Sequence, residues 1–227
     1  MVDHNERRIL NTWQRNADSW TRAVRDGTIA SRQQVTDQAV VDAVPLCQVT
    51  SVIDIGCGEG WLARRLSESG IVVTGIDATH ALVDAATKNG GGHFQCLNYN
   101  ELHSLAAICG APFELAVCNF SLLGESSTET VLAQLAALLQ PAGRLIIQTL
   151  HPAECNSELP YQDGWRQSSW DGFDSTFTDP APWYFRTLSS WLTLLRHHGF
   201  SMQKISEPLL PSSKRPASII FIATLTP

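Results

Sequence analysis

The chain has 227 residues, a length that favours one α/β domain with a cap, and its 44% hydrophobic and 17% charged residues are those of an ordinary globular protein with a full core. A formal charge of -6 without a Lys/Arg cluster argues against nucleic acid or an anionic membrane surface as a partner. The opening residues carry no apolar run like a secretory leader, and no stretch approaches the roughly 18 apolar residues of a membrane span. The six cysteines (Cys47, Cys57, Cys96, Cys109, Cys118 and Cys155) include no C-x-x-C pair, which predicts reduced thiols in a cytoplasmic protein and neither a disulfide framework nor a metal site.

Residues 1–44 read as a helical cap. Leu10, Trp13, Ala17 and Trp20 fall on one face of a first helix. Ser31 and Gln34 form a capping box for a second, whose apolar stripe is Val35, Ala39 and Ala43. After Pro45, strands alternate with helices through residue 150. The strands are Ser51–Ile55, Ile71–Ile76, His93–Leu97, Phe113–Cys118 and Arg144–Thr149. The helices are Trp61–Ser69, His80–Asn89 and Thr128–Gln140, the last capped by Ser126 and Glu129. Such alternation means a parallel sheet covered on both faces. Residues 151–186 lose periodicity and are rich in Pro, Gly, Ser, Asp and aromatics, which predicts a lid over a functional site. Residues 187–227 supply a last helix stopped by Gly199 and two strands, Ser201–Ser206 and Ser218–Leu225.

The strongest motif is Val52-Ile53-Asp54-Ile55-Gly56-Cys57-Gly58-Glu59-Gly60, where a buried strand gives way to a helix. Gly56, Gly58 and Gly60 permit a tight turn and close approach of backbone to a ligand, and the helix start offers free N–H groups. Asp77, at the end of the second strand, is placed to accept both hydroxyls of a ribose. Together they specify an adenosine-type ligand in the crevice at the carboxyl ends of the strands. Two details separate a dinucleotide from other adenosine ligands. The dinucleotide fingerprint needs a small residue where this chain has Trp61. Asp54 would repel a pyrophosphate, whereas it attracts an ammonium group; its alternative is an acid that merely caps the turn.

These residues resemble the class I S-adenosylmethionine-dependent methyltransferases: Asp54–Gly60 is similar to the first motif of that family, and Ile76-Asp77 to its second. The resemblance runs from about residue 45 to the end and looks nearest to the small-molecule branch that includes quinone-biosynthesis enzymes. It implies a Rossmann-like, doubly wound, mostly parallel seven-stranded sheet with an antiparallel last strand, a helical N-terminal cap and an irregular aromatic lid. It also implies S-adenosylmethionine as cofactor and S-adenosylhomocysteine as product, with Cys57 lining the loop as a small residue. Ala78 and Thr79 would flank the adenosine. Asn98-Tyr99 stands where the family often has an acid for the adenine amino group. Asn119-Phe120 would end the fourth strand beside the methionine moiety. Arg32 is a candidate for the cofactor carboxylate, against the alternative of a solvated surface arginine.

For the substrate side, His151 is the candidate general base, against a histidine that shapes the Pro152 turn. Trp20, Trp165, Trp170, Trp183 and Tyr184 are candidates for an aromatic pocket, against a core belonging to the lid itself. Asn119-Phe120-Ser121-Leu122 departs from the Asn/Asp-Pro-Pro-aromatic run of nucleic-acid amino-methyltransferases, which, with the acidic charge, argues against a DNA or RNA base as substrate; no basic or acidic docking segment suggests a protein substrate. Two other readings stay open: a nicotinamide-dependent oxidoreductase, which must explain Trp61 and Asp54, and a non-catalytic S-adenosylmethionine-binding protein.

Overall fold

A computed structural model of the chain describes residues 3–105, 112–154 and 159–226. Cys109 and Cys155 lie outside the described residues. Helix α1 spans His4–Arg25 and is followed by a π-helical turn, Arg32–Thr36, that runs directly into α2, Asp37–Ala43. Then come β1 Ser51–Ile55, α3 Trp61–Ser67, β2 Val72–Asp77, α4 His80–Asn89 and β3 His93–Cys96. A 3-10 helix at Tyr99–Ser104 precedes β4 Phe113–Asn119, α5 Ser126–Leu138 and β5 Leu139–Thr149. The chain ends with a ribbon of β6 Gly164–Arg166 and β7 Trp183–Phe185, then α6 Leu188–His197, β8 Phe200–Ser206 and β9 Ile219–Leu225.

The main sheet has seven strands in the order β3-β2-β1-β4-β5-β9-β8, with β6 and β7 as a separate pair. The β1, β2, β3, β4 and β5 pairings are parallel, and β9 runs antiparallel to both β5 and β8. The strand order reverses at β1 and β4, so the crevice between their carboxyl ends is the place where such a sheet binds ligands. Period-two alternation divides the core. Ile53, Ile55, Ala116, Cys118, Leu145 and Ile147 pack under α5 and α6, while Val52, Leu115, Val117, Ile146, Ile220 and Ile222 pack under α2 and α3. Among the described residues no helix is long and apolar enough to cross a membrane.

Several local expectations are corrected. The expected face of the first helix is buried only in part: Ala17 is buried and Trp13 packs edge-on against Trp20, but Leu10 is 38% exposed, and the other buried residues are Glu6, Ile9, Thr12, Asn16, Ser19 and Ala23. This mostly polar stripe is buried because it meets backbone, as described below. Ser31 makes no capping bond; the π-turn, with its extra residue per turn, rotates the buried face onto Thr36, Val40 and Ala43. Ser126 does not cap α5 by itself. Its hydroxyl and the Ser127 N–H both donate to Glu6 Oε1, at 3.1 and 3.2 Å, so the cap comes from α1. β5 starts five residues early, at Leu139, which pairs with Phe113 across a bulge. The lid is not wholly irregular, since β6 and β7 form an antiparallel ribbon within it.

Candidate active site

The turn after β1 is built by the three glycines, whose φ angles are +76°, +56° and +81° at Gly56, Gly58 and Gly60. Side chains are excluded there twice over. A Cβ on Gly56 would lie 2.3 Å from Ser121 Cβ, and one on Gly60 would lie 2.9 Å from Ala86 Cβ. The N–H groups of Gly56 and Cys57 both donate to Ile76 O, which ties the turn to the end of β2. Asp77 completes the tie. Its Oδ2 accepts from Gly58 N at 3.0 Å and its Oδ1 from Thr79 N at 2.8 Å. Burial raises the Asp77 carboxyl above its ordinary range, with the backbone donors of Thr79 and Gly58 and the Thr79 hydroxyl pulling the other way.

Asp54, on β1 in register with Gly75 and Val117, is 2% exposed. Burial, and then the charge of Asp77, push its pKa up to about 7. Burial also pushes the Cys57 thiol well up, so it remains a thiol; it fills the turn as a small side chain. Glu59 was not singled out in the sequence, yet its side chain is fully buried between Arg64 Nη2 at 2.6 Å and Arg25 Nε at 3.1 Å. It fastens the turn to α3 and to the last turn of α1. The only hint is an acid between two glycines of a buried turn.

For Arg32 the structure overturns the solvated alternative. Its side chain is 11% exposed and is no solvated arginine. The guanidinium lies 5.6 Å from the centroid of Trp20 and 4.7 Å from that of Trp61, and its Nε donates to Asp37 Oδ1 at 2.9 Å. Trp61, the residue that broke the dinucleotide fingerprint, thus serves as one wall of an arginine cage. Among the described residues four buried side-chain atoms lack a partner: Arg32 Nη2, Thr36 Oγ1, Asn119 Oδ1 and Gln148 Oε1. Arg32 and Thr36 sit at the head of α2, and Asn119 and Gln148 at the carboxyl ends of β4 and β5.

The residues after β3 and β4 close the near side. Tyr99 donates through its hydroxyl to Ser121 O at 3.1 Å, and Ser121 Oγ donates to Ile55 O at 2.5 Å. Phe120 adopts φ +52°, an unusual backbone for an aromatic residue, at the point where β4 leaves the sheet. Asn98 is exposed and caps the Tyr99–Ser104 helix in a box with Glu101, so its side chain already has a structural task. Thr79 is buried and precedes α4, with Ala78 half-buried beside Asp77.

The structure divides the expected aromatic pocket in two. Trp20 and Trp170 belong to one cluster with Trp13, Phe173 and Phe177, at centroid distances of 4.8 to 6.4 Å. This cluster reaches the glycine turn, because the Trp20 indole Nε1 lies 3.7 Å from where a Gly58 Cβ would be. Trp165, Trp183 and Tyr184 belong to the ribbon instead. Trp165 packs edge-on against Tyr184 at 5.4 Å, and Tyr184 faces an open groove with Glu125, Asp163 and Arg186 that shares no residue with the turn. His151 is likewise engaged. Its Nδ1 accepts from Ala153 N at 3.2 Å and its Nε2 lies 2.7 Å from Glu207 Oε1. Both ring nitrogens thus have protein partners, and Nδ1, by accepting from the Ala153 N–H, braces the Pro152 turn.

A doubly wound sheet with a glycine turn at its switch point and an acid ending the second strand defines a nucleoside-binding α/β protein. Residues 15–205 match the family described as a methyltransferase domain, and the chain belongs to that family. It is 28% identical over 101 residues to a ubiquinone biosynthesis O-methyltransferase of Coxiella burnetii, covering 44% of this chain and 43% of the relative. It is 29% identical over 133 residues to an uncharacterized methyltransferase of Mycobacterium tuberculosis, covering 58% and 64%. The matches thus span less than two thirds of these curated relatives. Among solved structures, the fold is shared with the 1,6-didemethyltoxoflavin-N1-methyltransferase of Burkholderia thailandensis at 18% identity and a TM-score of 0.67, covering 100% of this chain and 92% of that one. The magnesium protoporphyrin IX methyltransferase of Synechocystis PCC 6803 shares it at 18% identity and a TM-score of 0.67, covering 98% and 100%. Both neighbours hold S-adenosylhomocysteine.

Proposed function

We propose that this chain transfers the methyl group of S-adenosylmethionine to a small-molecule acceptor beneath the 151–186 lid. The observation that carries the reading is a pair of buried charges flanking one glycine turn. Asp54 is a buried carboxylate at the end of β1, and Arg32 is a caged guanidinium with an unpartnered Nη2. They are the complement of an α-amino acid, ammonium to Asp54 and carboxylate to Arg32, next to Asp77 and its place for a ribose. A dinucleotide would instead set a pyrophosphate against Asp54. The residues present therefore fit the cofactor, with Ala78, Thr79 and Tyr99 bordering the adenosine and Asn119 and Phe120 the methionyl end.

The bound cofactor supplies an electrophilic methyl group on a sulfonium. The chain's residues have then to align the acceptor and exclude water, and alignment alone is worth about 7–11 kcal/mol of barrier. The lid is built for the second task. Thr176, Thr178, Asp179 and Pro180 accept hydrogen bonds from side chains of α1, and Trp170 and Phe173 pack on Trp13 and Trp20 beside the turn. On the other side, Tyr184 N donates to Leu123 O at 2.7 Å and Arg186 to the carbonyls of Gly124 and Glu125, which pins the ribbon to the loop after β4.

The test is transfer of label from S-adenosyl-L-[methyl-3H]methionine into an extract separated by size. The expected result is label in the low-molecular-weight fraction. Label confined to acid-precipitable material would contradict a small-molecule acceptor. Tight S-adenosylhomocysteine binding with no label in either fraction would favour the non-catalytic reading.

A further inference from the structure

Two of the four unpartnered buried atoms are not used by the cofactor's charged groups. In the parallel pairing of β4 with β5, Asn119 stands in register with Gln148. Register partners emerge on the same face, about 4.8 Å apart across the ladder. Their alternation with Val117 and Ile146 puts them on the face packed by α2, at its carboxyl edge. Gln148 is fully buried, and its Nε2 donates to Ser218 Oγ at 2.8 Å, itself fully buried. Its Oε1 is left without a donor, and so is Asn119 Oδ1. A buried acceptor left bare is costly, so two side by side at the carboxyl edge of the sheet call for a ligand with two hydrogens to give.

We propose that Asn119 and Gln148 form a paired acceptor that holds the methyl-accepting group, and that this group is a nitrogen bearing N–H bonds, the amino group of a small amine. The inference rests on the methyl-transfer reading above and names its acceptor class. A hydroxyl brings one hydrogen and satisfies one of the two oxygens. An NH2 group brings two and satisfies both, leaving its lone pair for the methyl group. An amide oxygen cannot take up a proton, and His151 has both ring nitrogens engaged. A hydroxyl held here would stay protonated and weakly nucleophilic, whereas a neutral amine reacts without prior deprotonation. In the transfer, the nitrogen lone pair forms the new N–C bond and the C–S bond breaks with its electron pair on sulfur. The resulting ammonium loses its extra proton to water as product leaves. Asn119 then borders the methionyl end and the acceptor at once, and Gln148 is a specificity-determining residue.

Ligand-observed NMR on protein saturated with S-adenosylhomocysteine tests this without turnover. The probes are matched pairs: aniline with phenol, and 3-aminobenzamide with 3-hydroxybenzamide. The amino member of each pair is expected to bind about fivefold or more tightly. Gln148→Met, close in volume but without the amide oxygen, should erase the preference, and Gln148→Glu should keep it. Should Gln148→Met not fold, Ser218→Ala, which removes the acceptor of Gln148 Nε2, should weaken the preference. Hydroxy probes binding as well as amino probes would overturn the proposal, as would a preference that survives Gln148→Met. Binding of neither probe, with cofactor-product stabilisation intact, would mean that the pair holds water only. Absence of that stabilisation would remove the methyl-transfer reading itself, and this inference with it.

Discussion

Asp54 is where the chemistry of a single residue has the clearest consequences. Its pKa of about 7 in the folded protein lies above the ordinary carboxylate range in which the unfolded chain titrates. The folded state therefore holds the extra proton between those values, and the stability it confers is present at low pH and lost as pH rises through about 7. Each pKa unit is about 1.4 kcal/mol, so Asp54→Asn should stabilise the ligand-free protein by about 1–3 kcal/mol at pH 8, measured by urea unfolding. The same substitution should weaken S-adenosylhomocysteine binding. In the unmodified protein an ammonium ligand selects the ionised form, so affinity should fall as pH is lowered below 7, by up to about tenfold per unit. Calorimetry at pH 6, 7 and 8 checks this, and a flat profile would count against an ammonium at Asp54. Arg32→Met should cost about tenfold or more in S-adenosylhomocysteine affinity while leaving adenosine binding unchanged, because only the former carries the carboxylate. Asp54 was legible from its spacing to the glycines. The burial of Arg32 was not, because its cage joins Trp20 and Trp61, from two elements that only tertiary packing brings together.

At the scale of elements, the N-terminal helix and the lid form one unit through the backbone. Asn16 is 1% exposed; its Nδ2 donates to Thr178 O and its Oδ1 accepts from Thr178 N, both at 2.8 Å. One turn away Thr12 Oγ1 donates to Asp179 O at 2.9 Å, and Arg15 pairs with Asp179 Oδ2 at 2.6 Å. A helix that presents Thr12, Asn16 and Ser19 to the irregular segment 176–179 reads in the sequence as a solvent face, which is why apolar periodicity points to the Leu10 face instead. Asn16→Ala should leave both Thr178 backbone groups without a partner, at about 1–3 kcal/mol, and loosen the lid locally. Hydrogen exchange should accelerate in residues 170–180 with little change in β1 or β4; uniform acceleration would show global destabilisation instead. In the glycine turn, Gly56→Ala combines a strained φ with a Cβ 2.3 Å from Ser121 Cβ. It should cost about 2–4 kcal/mol in urea unfolding and abolish cofactor binding. A variant as stable as the parent would mean that the Ser121 loop yields.

For the whole molecule, the parallel core was readable because each buried strand is a short β-branched run bounded by turn residues. Ser51–Ile55 and His80–Asn89 begin and end where the patterns place them. What pattern could not supply was anything set by a distant partner: the Glu6 cap on α5, and the ribbon within the lid on which Trp165, Trp183 and Tyr184 sit. Asp54 and the glycine turn lie at the crevice between β1 and β4, where the strand order reverses, and Trp20 of α1 reaches that turn. The central claim is that this crevice takes S-adenosylmethionine. Thermal unfolding of the purified protein with S-adenosylmethionine, S-adenosylhomocysteine, NAD and NADP in parallel tests it most directly. A ligand at a hundred times its dissociation constant stabilises by about 2.7 kcal/mol, enough to raise the midpoint by several degrees. A rise with the two sulfur-containing ligands alone is the expected result; a rise with the nicotinamide ligands alone would contradict it.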